Sequence, residues 1–226
     1  MLLFGKGESF VAKDIEDIES SLPAHIKLAY LPNYGELRLR LTGISDDENS
    51  LKTTMNQLFE TIANRLKDNL VATEDISLAT SFFKIFKNEN KTISTAESCT
   101  GGEVASLITS IPGASQIYKG SIVAYSNSVK ENILKVTEND LIEFGAVSEA
   151  VVKTMAENVR QQMQTDYSIA ISGILGPDGG SAEKPLGTVW MAFAGDKKTI
   201  TQKFQFHWDR TTNKELAAKS ALFFLL

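Results

Sequence analysis

One cysteine and two histidines stand in 226 residues, and that scarcity narrows the field. Cys99 cannot form a disulfide within the chain, and the lack of a cysteine framework fits a reducing compartment, so a cytoplasmic protein is expected. His25 and His207 are too few and too scattered for zinc-ligand spacing or an H-E-x-x-H helix, and no Ser-His-Asp triad is apparent. A hydrolase built from this chain would draw its base from another residue type. Long apolar runs are also lacking. The opening MLLFGKGESF is too short for a signal peptide, and the stretch 221–226 falls far below the roughly 18 to 20 residues that span a bilayer, so no membrane association is expected. Basic charge is not in excess: 23 Lys and Arg face 28 Asp and Glu, and a net charge of -5 argues against nonspecific attraction to nucleic acid or anionic lipid. With 42% hydrophobic residues and only 5 prolines and 15 glycines, neither disorder nor a fibrous repeat fits.

What is present suggests two modules. Ile15, Ile18 and Leu22 share one helix face over 14–22, which Pro23 helps to end. Ile26, Leu28 and Tyr30 alternate before a turn at 32–35, and Leu37, Leu39 and Leu41 alternate with Glu36, Arg38 and Arg40 after it, predicting a hairpin with an exposed arginine face. Leu51, Met55, Leu58, Ile62 and Leu66 predict a long amphipathic helix over 50–68. The polar stretch at 71–75 reads as a linker, with a boundary near 73. Beyond it we expect helices at 76–86, 101–110, 128–135, 148–163 and 211–225, and strands at 92–96, 120–125, 167–172, 187–194 and 199–206. Strands separated by helices favour an α/β layered domain with some antiparallel strands near its end.

Three stretches carry chemistry. In Thr95-Ala96-Glu97-Ser98-Cys99-Thr100-Gly101-Gly102, small residues at a strand-to-helix junction leave backbone N–H groups open to a phosphate or a developing oxyanion. Ser98 is there either as a nucleophile or as a helix cap with the glycines serving the turn, and the octapeptide does not choose. Cys99 is a further candidate, though a lone cysteine is more often a small buried residue. In Tyr125-Ser126-Asn127-Ser128-Val129-Lys130, capping by Ser126 or Asn127 would set Lys130 in the first helical turn, where the helix dipole would depress its pKa. A neutral lysine can serve a serine as histidine does, although a solvated lysine is the ordinary reading. The run from Ser172 to Ser181 holds Gly173, Gly176, Gly179 and Gly180, an abundance that suits a loop approaching a ligand closely. It matches neither a Walker loop nor a dinucleotide fingerprint. Asp209-Arg210 adds either an anion clamp or a surface ion pair.

In this order, TAESCTGG, GAVSE at 145–149, GPDGGS, EKPLGTVW and DR resemble the C-terminal domain of the CinA (competence/damage-inducible) family, the nicotinamide-nucleotide amidohydrolases, over about 76–226. The preceding module, with GKGES at 5–9 and LPNYGELRLRLTG at 31–43, resembles the linking domain of full-length members. The fold this implies is α/β: a three-layer α/β/α C-terminal domain with a mixed sheet at 74–226, preceded by a small α+β domain at 1–73. Full-length members carry a further domain ahead of these, molybdopterin-cofactor-binding-like and associated with ADP-ribose pyrophosphatase activity, which is expected to be missing here.

The resemblance implies hydrolysis of the carboxamide of nicotinamide mononucleotide to nicotinic acid mononucleotide and ammonia, without metal or other cofactor. It makes Ser98 the nucleophile, Lys130 the base and Tyr125 a polar neighbour. The N–H groups around Thr100, Gly101 and Gly102 would stabilise the tetrahedral intermediate. Gly173, Gly176, Gly179, Gly180, Ser181 and Arg210 would hold the nucleotide. A homodimer or larger assembly is implied as well. Two departures from the family pattern are Leu175, where a small residue is usual, and Ala182, where glutamate is usual. They leave a second reading open, a noncatalytic nucleotide-binding or interaction module tied to competence or damage responses.

Overall fold

The computed structural model describes residues 1–226, which divide into two units, Met1–Ser81 and Phe82–Leu226. In the first, β1 (Leu2–Phe4), α1 (Glu8–Asp14) and α2 (Glu16–Ser20) precede the hairpin strands β2 (Ile26–Asn33) and β3 (Glu36–Gly43), followed by α3 (Glu48–Arg65) and β4 (Leu70–Ala72). The sheet order is β2-β3-β1-β4, with every neighbouring pair antiparallel. Leu37 and Leu39 of β3 are buried with Leu3, Val11, Ile15, Ile18, Ile62 and Leu66, so the alternation in β3 and the helical spacing in α3 supply one core between them. Arg38, expected on an open face, is half-buried and pairs with Asp75 at 3.2 Å, while Arg40 is exposed.

Several elements differ from their expected form for local reasons. The helix expected at 14–22 begins at Glu8 and breaks at Ile15; α1 buries only Val11 and leaves Phe10 exposed, so the sequence shows no apolar stripe there. The stretch expected to be linker overlaps β4, a three-residue strand whose Leu70 and Ala72 pair with β1. The division between units falls inside α4 (Leu78–Asn88).

The second unit continues from α4 with β5 (Ile93–Glu97), α5 (Glu103–Thr109), β6 (Tyr118–Val123), α6 (Asn127–Asn132), α7 (Glu138–Glu143), α8 (Glu149–Met163), β7 (Tyr167–Gly173), β8 (Thr188–Ala194), β9 (Thr199–Gln205) and α9 (Arg210–Phe223). Its five strands run β6-β5-β7-β8-β9; the first three are mutually parallel and the last two antiparallel, a mixed sheet. One face is covered by α8, which starts at the Ser148 cap and presents Val151, Val152, Met155, Ala156 and Val159 to Ala96, Ala170 and Ala192. Burial of each larger side chain contributes on the order of 1.5–3 kcal/mol. Residues of opposite parity face the other way: Phe193, paired with Ile169, stacks on Phe224 at the end of α9, with ring centroids 4.3 Å apart. Helices on both faces of a mixed sheet make the α/β layered architecture expected. The short helix α7, capped by Thr137, was not anticipated; it buries no residue fully and carries no apolar stripe.

Candidate active site

Three parallel strands end side by side, and the candidate residues follow their carboxyl ends: Ser98 after β5, Tyr125 and Lys130 after β6, Gly173 to Gly179 at and after β7. β5 lies between β6 and β7, so the chain leaves it toward one neighbour and later crosses to the other, and such a switch point is where open α/β sheets bind ligands. The register fixes the junction. Glu97 sits beside Val123 and Ile171, the Ala124 amide donates to the Glu97 carbonyl at 2.7 Å, and the Ser98 amide donates to the Ile171 carbonyl at 2.9 Å.

Ser126 caps α6 by accepting from the Val129 amide, so Asn127 is the first helical residue and Lys130 the fourth. From there the Lys130 side chain runs inward and is 1% exposed. Its Nζ lies 2.8 Å from the Ala124 carbonyl, 3.4 Å from the Tyr125 carbonyl and 3.0 Å from Ser98 Oγ. Burial holds the ammonium below its ordinary pKa. Desolvation is the leading cause of the shift, in the direction expected from the sequence. Nζ donates to the two carbonyls and to Ser98 Oγ, and once the amine is neutral its lone pair can instead accept from the serine hydroxyl. Ser98 caps no helix; α5 begins five residues later.

The turn after Ser98 is shaped by two glycines in the left-handed region, Gly101 at φ +61° and Gly102 at φ +100°, so the helix expected at 101–110 starts only at Glu103. Their amides are engaged, Gly101 with the Ser98 carbonyl and Gly102 with Glu97 Oε2. The amides of Cys99 and Thr100 donate to no protein oxygen, both lying against the Cys99 sulfur, and Thr100 is fully buried, which moves the open donor from the expected Thr100 to Gly102 positions to Cys99. The Cys99 thiol is buried, and its pKa is pushed up to about 12, chiefly by burial, so it stays protonated and is no competing nucleophile at neutral pH. Gly173 stands where a Cβ would meet Val189 Cγ2 at 2.6 Å and Cys99 Sγ at 3.1 Å, so any larger residue would press on the serine turn.

Glu97 is a participant to which sequence reasoning gave no role. It is fully buried, on the β5 face opposite Ala96 and α8. Its Oε1 accepts from the Ala105 amide at 2.8 Å and its Oε2 from the Gly102 and Val104 amides at 3.0 and 3.1 Å. The available signal was an acidic residue in an otherwise uncharged strand, immediately before the small-residue turn.

A cleft of about 280 Å³ lies over this dyad, close to the roughly 300 Å³ lower bound for small-molecule sites. Ser98, Cys99, Tyr125 and Lys130 line it, as do Gly173, Gly176, Gly179 and Arg210. Thr100, Gly101, Gly102, Gly180 and Ser181 do not; Ser181 instead closes a turn with Lys184. Asn127, Ser172 and Asp178, which belong to the stretches singled out from sequence but were given no separate binding role, line it too. Asp209 is not paired with Arg210, because its carboxylate caps α9 by accepting from the Thr211 and Thr212 amides. Arg210 is thereby free to donate to the Gly176 carbonyl at 2.6 Å and to Tyr125 Oη at 3.0 Å, joining the loops after β6 and β7. Leu175 lies in the cleft wall, nearly buried, its carbonyl accepting from Asn213 Nδ2, whereas Ala182 is exposed and outside it. A cleft of about 490 Å³ in the first unit, lined by Arg38, Arg40 and Met55 among others, contains no comparable nucleophile and base.

Residues 75–226 match the CinA C-terminal domain family, and residues 1–72 the KH domain of damage-inducible protein CinA. A CinA-like protein of Cytophaga hutchinsonii is 42% identical over 218 residues, covering 96% of this chain and 52% of that protein. A putative competence-damage inducible protein of Halothermothrix orenii is 37% identical over 222 residues, covering 98% of this chain and 53% of that protein. The chain thus spans about half the length of the curated relatives it matches. Among solved structures, the competence/damage inducible protein CihA of Agrobacterium tumefaciens is 34% identical with a TM-score of 0.64, over 66% of this chain and 91% of that one. A CinA superfamily protein of Enterobacter cloacae is 35% identical with a TM-score of 0.63, over 70% of this chain and 95% of that one. With the family matched through both units and the same fold in its solved relatives, this chain belongs to the CinA family.

Proposed function

We propose that this chain hydrolyses the carboxamide of nicotinamide mononucleotide to nicotinic acid mononucleotide and ammonia. The observation that carries the reading is the contact between Ser98 Oγ and Lys130 Nζ, 3.0 Å apart in a buried junction facing a cleft. The neutral amine takes the serine proton as Oγ attacks the carboxamide carbon. Negative charge then develops on the carbonyl oxygen, and the Cys99 amide is the turn donor that faces the cleft for it. Lys130 returns the proton to the departing nitrogen, which leaves as ammonia. Water adds to the resulting ester as Lys130 takes its proton, and the C–O bond to Ser98 breaks as that proton passes to Oγ, releasing the acid and restoring the serine and the neutral amine. The steps use this chain's residues and water. Rapid acid quenching followed by mass spectrometry should find a nicotinoyl ester on the peptide containing Ser98. Turnover with no such ester, under conditions where deacylation is slow, would contradict the covalent route.

Arg210 spends two of its N–H groups on Gly176 and Tyr125, leaving others for an anion at the cleft wall. A phosphate there is remote from the reacting carbon, so its contacts act mainly on substrate binding. Arg210→Ala should raise KM for the mononucleotide at least about tenfold with a smaller change in kcat. A loss confined to kcat, in steady-state assays of both proteins, would place the phosphate elsewhere.

The first unit gives no support to a nucleic-acid role. KH modules clamp the RNA backbone with a G-x-x-G loop. Residues 1–81 hold glycines only at 5, 7, 35 and 43, no two of them three apart, and 8 Lys and Arg face 13 Asp and Glu. Gel-shift titrations with single-stranded RNA at about 50 mM salt should show no complex; one that weakens steeply with added salt would reverse this expectation.

A further inference from the structure

Glu97 buries a carboxylate within a few residues of the nucleophile without lining the cleft, and both its oxygens are occupied by backbone amides. That occupancy argues against acid–base work, because no lone pair is directed at a substrate. Its partners lie five, seven and eight residues on, so one side chain anchored in β5 ties down the far end of the Ser98 to Gly101 turn and the start of α5. α5 has no other side-chain cap: Gly102 occupies the N-cap position and cannot supply one. On the near side the turn is pinned by the Ser98 amide on Ile171, and between the two anchors stands the Cys99 amide, which donates to no protein oxygen and belongs to a residue that lines the cleft.

Resting on the Ser98–Lys130 reading, we propose that Glu97 is a positioning residue for the nucleophile turn. Its carboxylate consumes the amides at the head of α5, so that the turn amide of Cys99 is the one held toward the cleft. Glutamine in its place keeps the size but can accept through one atom only, and its amide group would set a donor against a donor. Aspartate keeps the charge but is one methylene too short to reach all three amides.

Two measurements on the full chain test this. In Glu97→Gln, hydrogen exchange should speed up about tenfold or more in the peptide spanning 98–105, with the strands of the sheet still protected. The kcat for the mononucleotide should fall about 10²-fold, as when an oxyanion donor is misplaced, with KM within about twofold. Glu97→Asp should fall between the parent and Glu97→Gln on both scales, and it carries the test if the glutamine variant fails to fold. Unchanged exchange and unchanged kcat in a folded variant would overturn the proposal, as would equal loss of protection throughout the domain, the mark of a merely structural role. The rate at which a fluorophosphonate labels Ser98 separates this proposal from the reading beneath it. In labelling, Oγ bonds to phosphorus, fluoride leaves and the serine proton passes to Lys130. A parent chain that is never labelled defeats the Ser98–Lys130 reading, and exchange at 98–105 then decides by itself whether Glu97 holds the turn. A parent labelled promptly and a glutamine variant labelled at the same rate defeats only the role of Glu97.

Discussion

Lys130→Met should lower kcat at least about 10³-fold, a loss of about 4 kcal/mol of transition-state stabilisation, while leaving the fold intact. The amine is the one group positioned to take the Ser98 proton: it contacts Oγ, and neither histidine lines the cleft. Methionine has nearly the same reach and fills the same buried space without a base. The effect on stability has a definite sign. Burial holds the folded-state pKa of Lys130 below the 10.5 of a free lysine, so between the two values the unfolded chain binds more protons than the folded one. Stability therefore rises with pH across that window, and the penalty for burying the amine is largest below it. Removing the amine removes that penalty, and the unfolding temperature of Lys130→Met should equal or exceed the parent's at pH 7, with the difference shrinking toward pH 10. Activity has the matching dependence. Only the neutral amine accepts the serine proton, so kcat should fall as pH drops through the depressed pKa of Lys130, and this acid limb should have no counterpart in the residual activity of Lys130→Met. A variant that retains half the parent's turnover would remove Lys130 from the mechanism.

Ser98→Ala carries the other large expected loss: no nicotinoyl ester and no acid product above the uncatalysed rate. Oγ is the only atom placed to form the covalent bond, since the neighbouring thiol is buried and held protonated by its surroundings. The substitution removes a single oxygen from a residue whose main-chain bonds to Ile171 and Gly101 survive, so folding and binding of the mononucleotide should persist. Calorimetry should find an affinity within a few-fold of the parent's KM, provided chemistry is slow relative to dissociation. Ammonia released at the parental rate by Ser98→Ala would mean that water attacks directly and that Ser98 is a bystander.

Much of the second unit was legible because its helices and strands are long enough to show their periods. Val151, Val152, Met155, Ala156 and Val159 recur on one face of α8, and β7 and β8 are nearly continuous apolar runs, as strands covered on both faces must be. Short elements gave no such signal: β1 and β4 have three residues each, and α7 has six with none buried. At the site, Ser98 and Lys130 could each be picked out as a chemically apt residue at a strand-to-helix junction. Their approach could not be read, because it depends on the parallel register that puts Glu97 beside Val123 and sends the Lys130 side chain inward. The lowering of the lysine's pKa was expected from its place at a helix start, but its burial could not be read, because burial depends on what packs above. Glu97 stood in plain view within TAESCTGG, yet a carboxylate that serves backbone amides is indistinguishable in sequence from one that serves a substrate. Asp209 and Arg210, adjacent in the chain, act separately, one capping α9 and the other bridging to Tyr125 and Gly176.

The central claim is tested most directly by incubating the purified chain with nicotinamide mononucleotide in the presence of a chelator and measuring nicotinic acid mononucleotide and ammonia together. The account predicts the two in equal amounts, over many turnovers, from the parent and neither from Ser98→Ala. Binding of the mononucleotide with no acid and no ammonia from the parent would contradict it, and would identify this chain as a nucleotide-binding module whose cleft, walled by Leu175, does not complete the reaction.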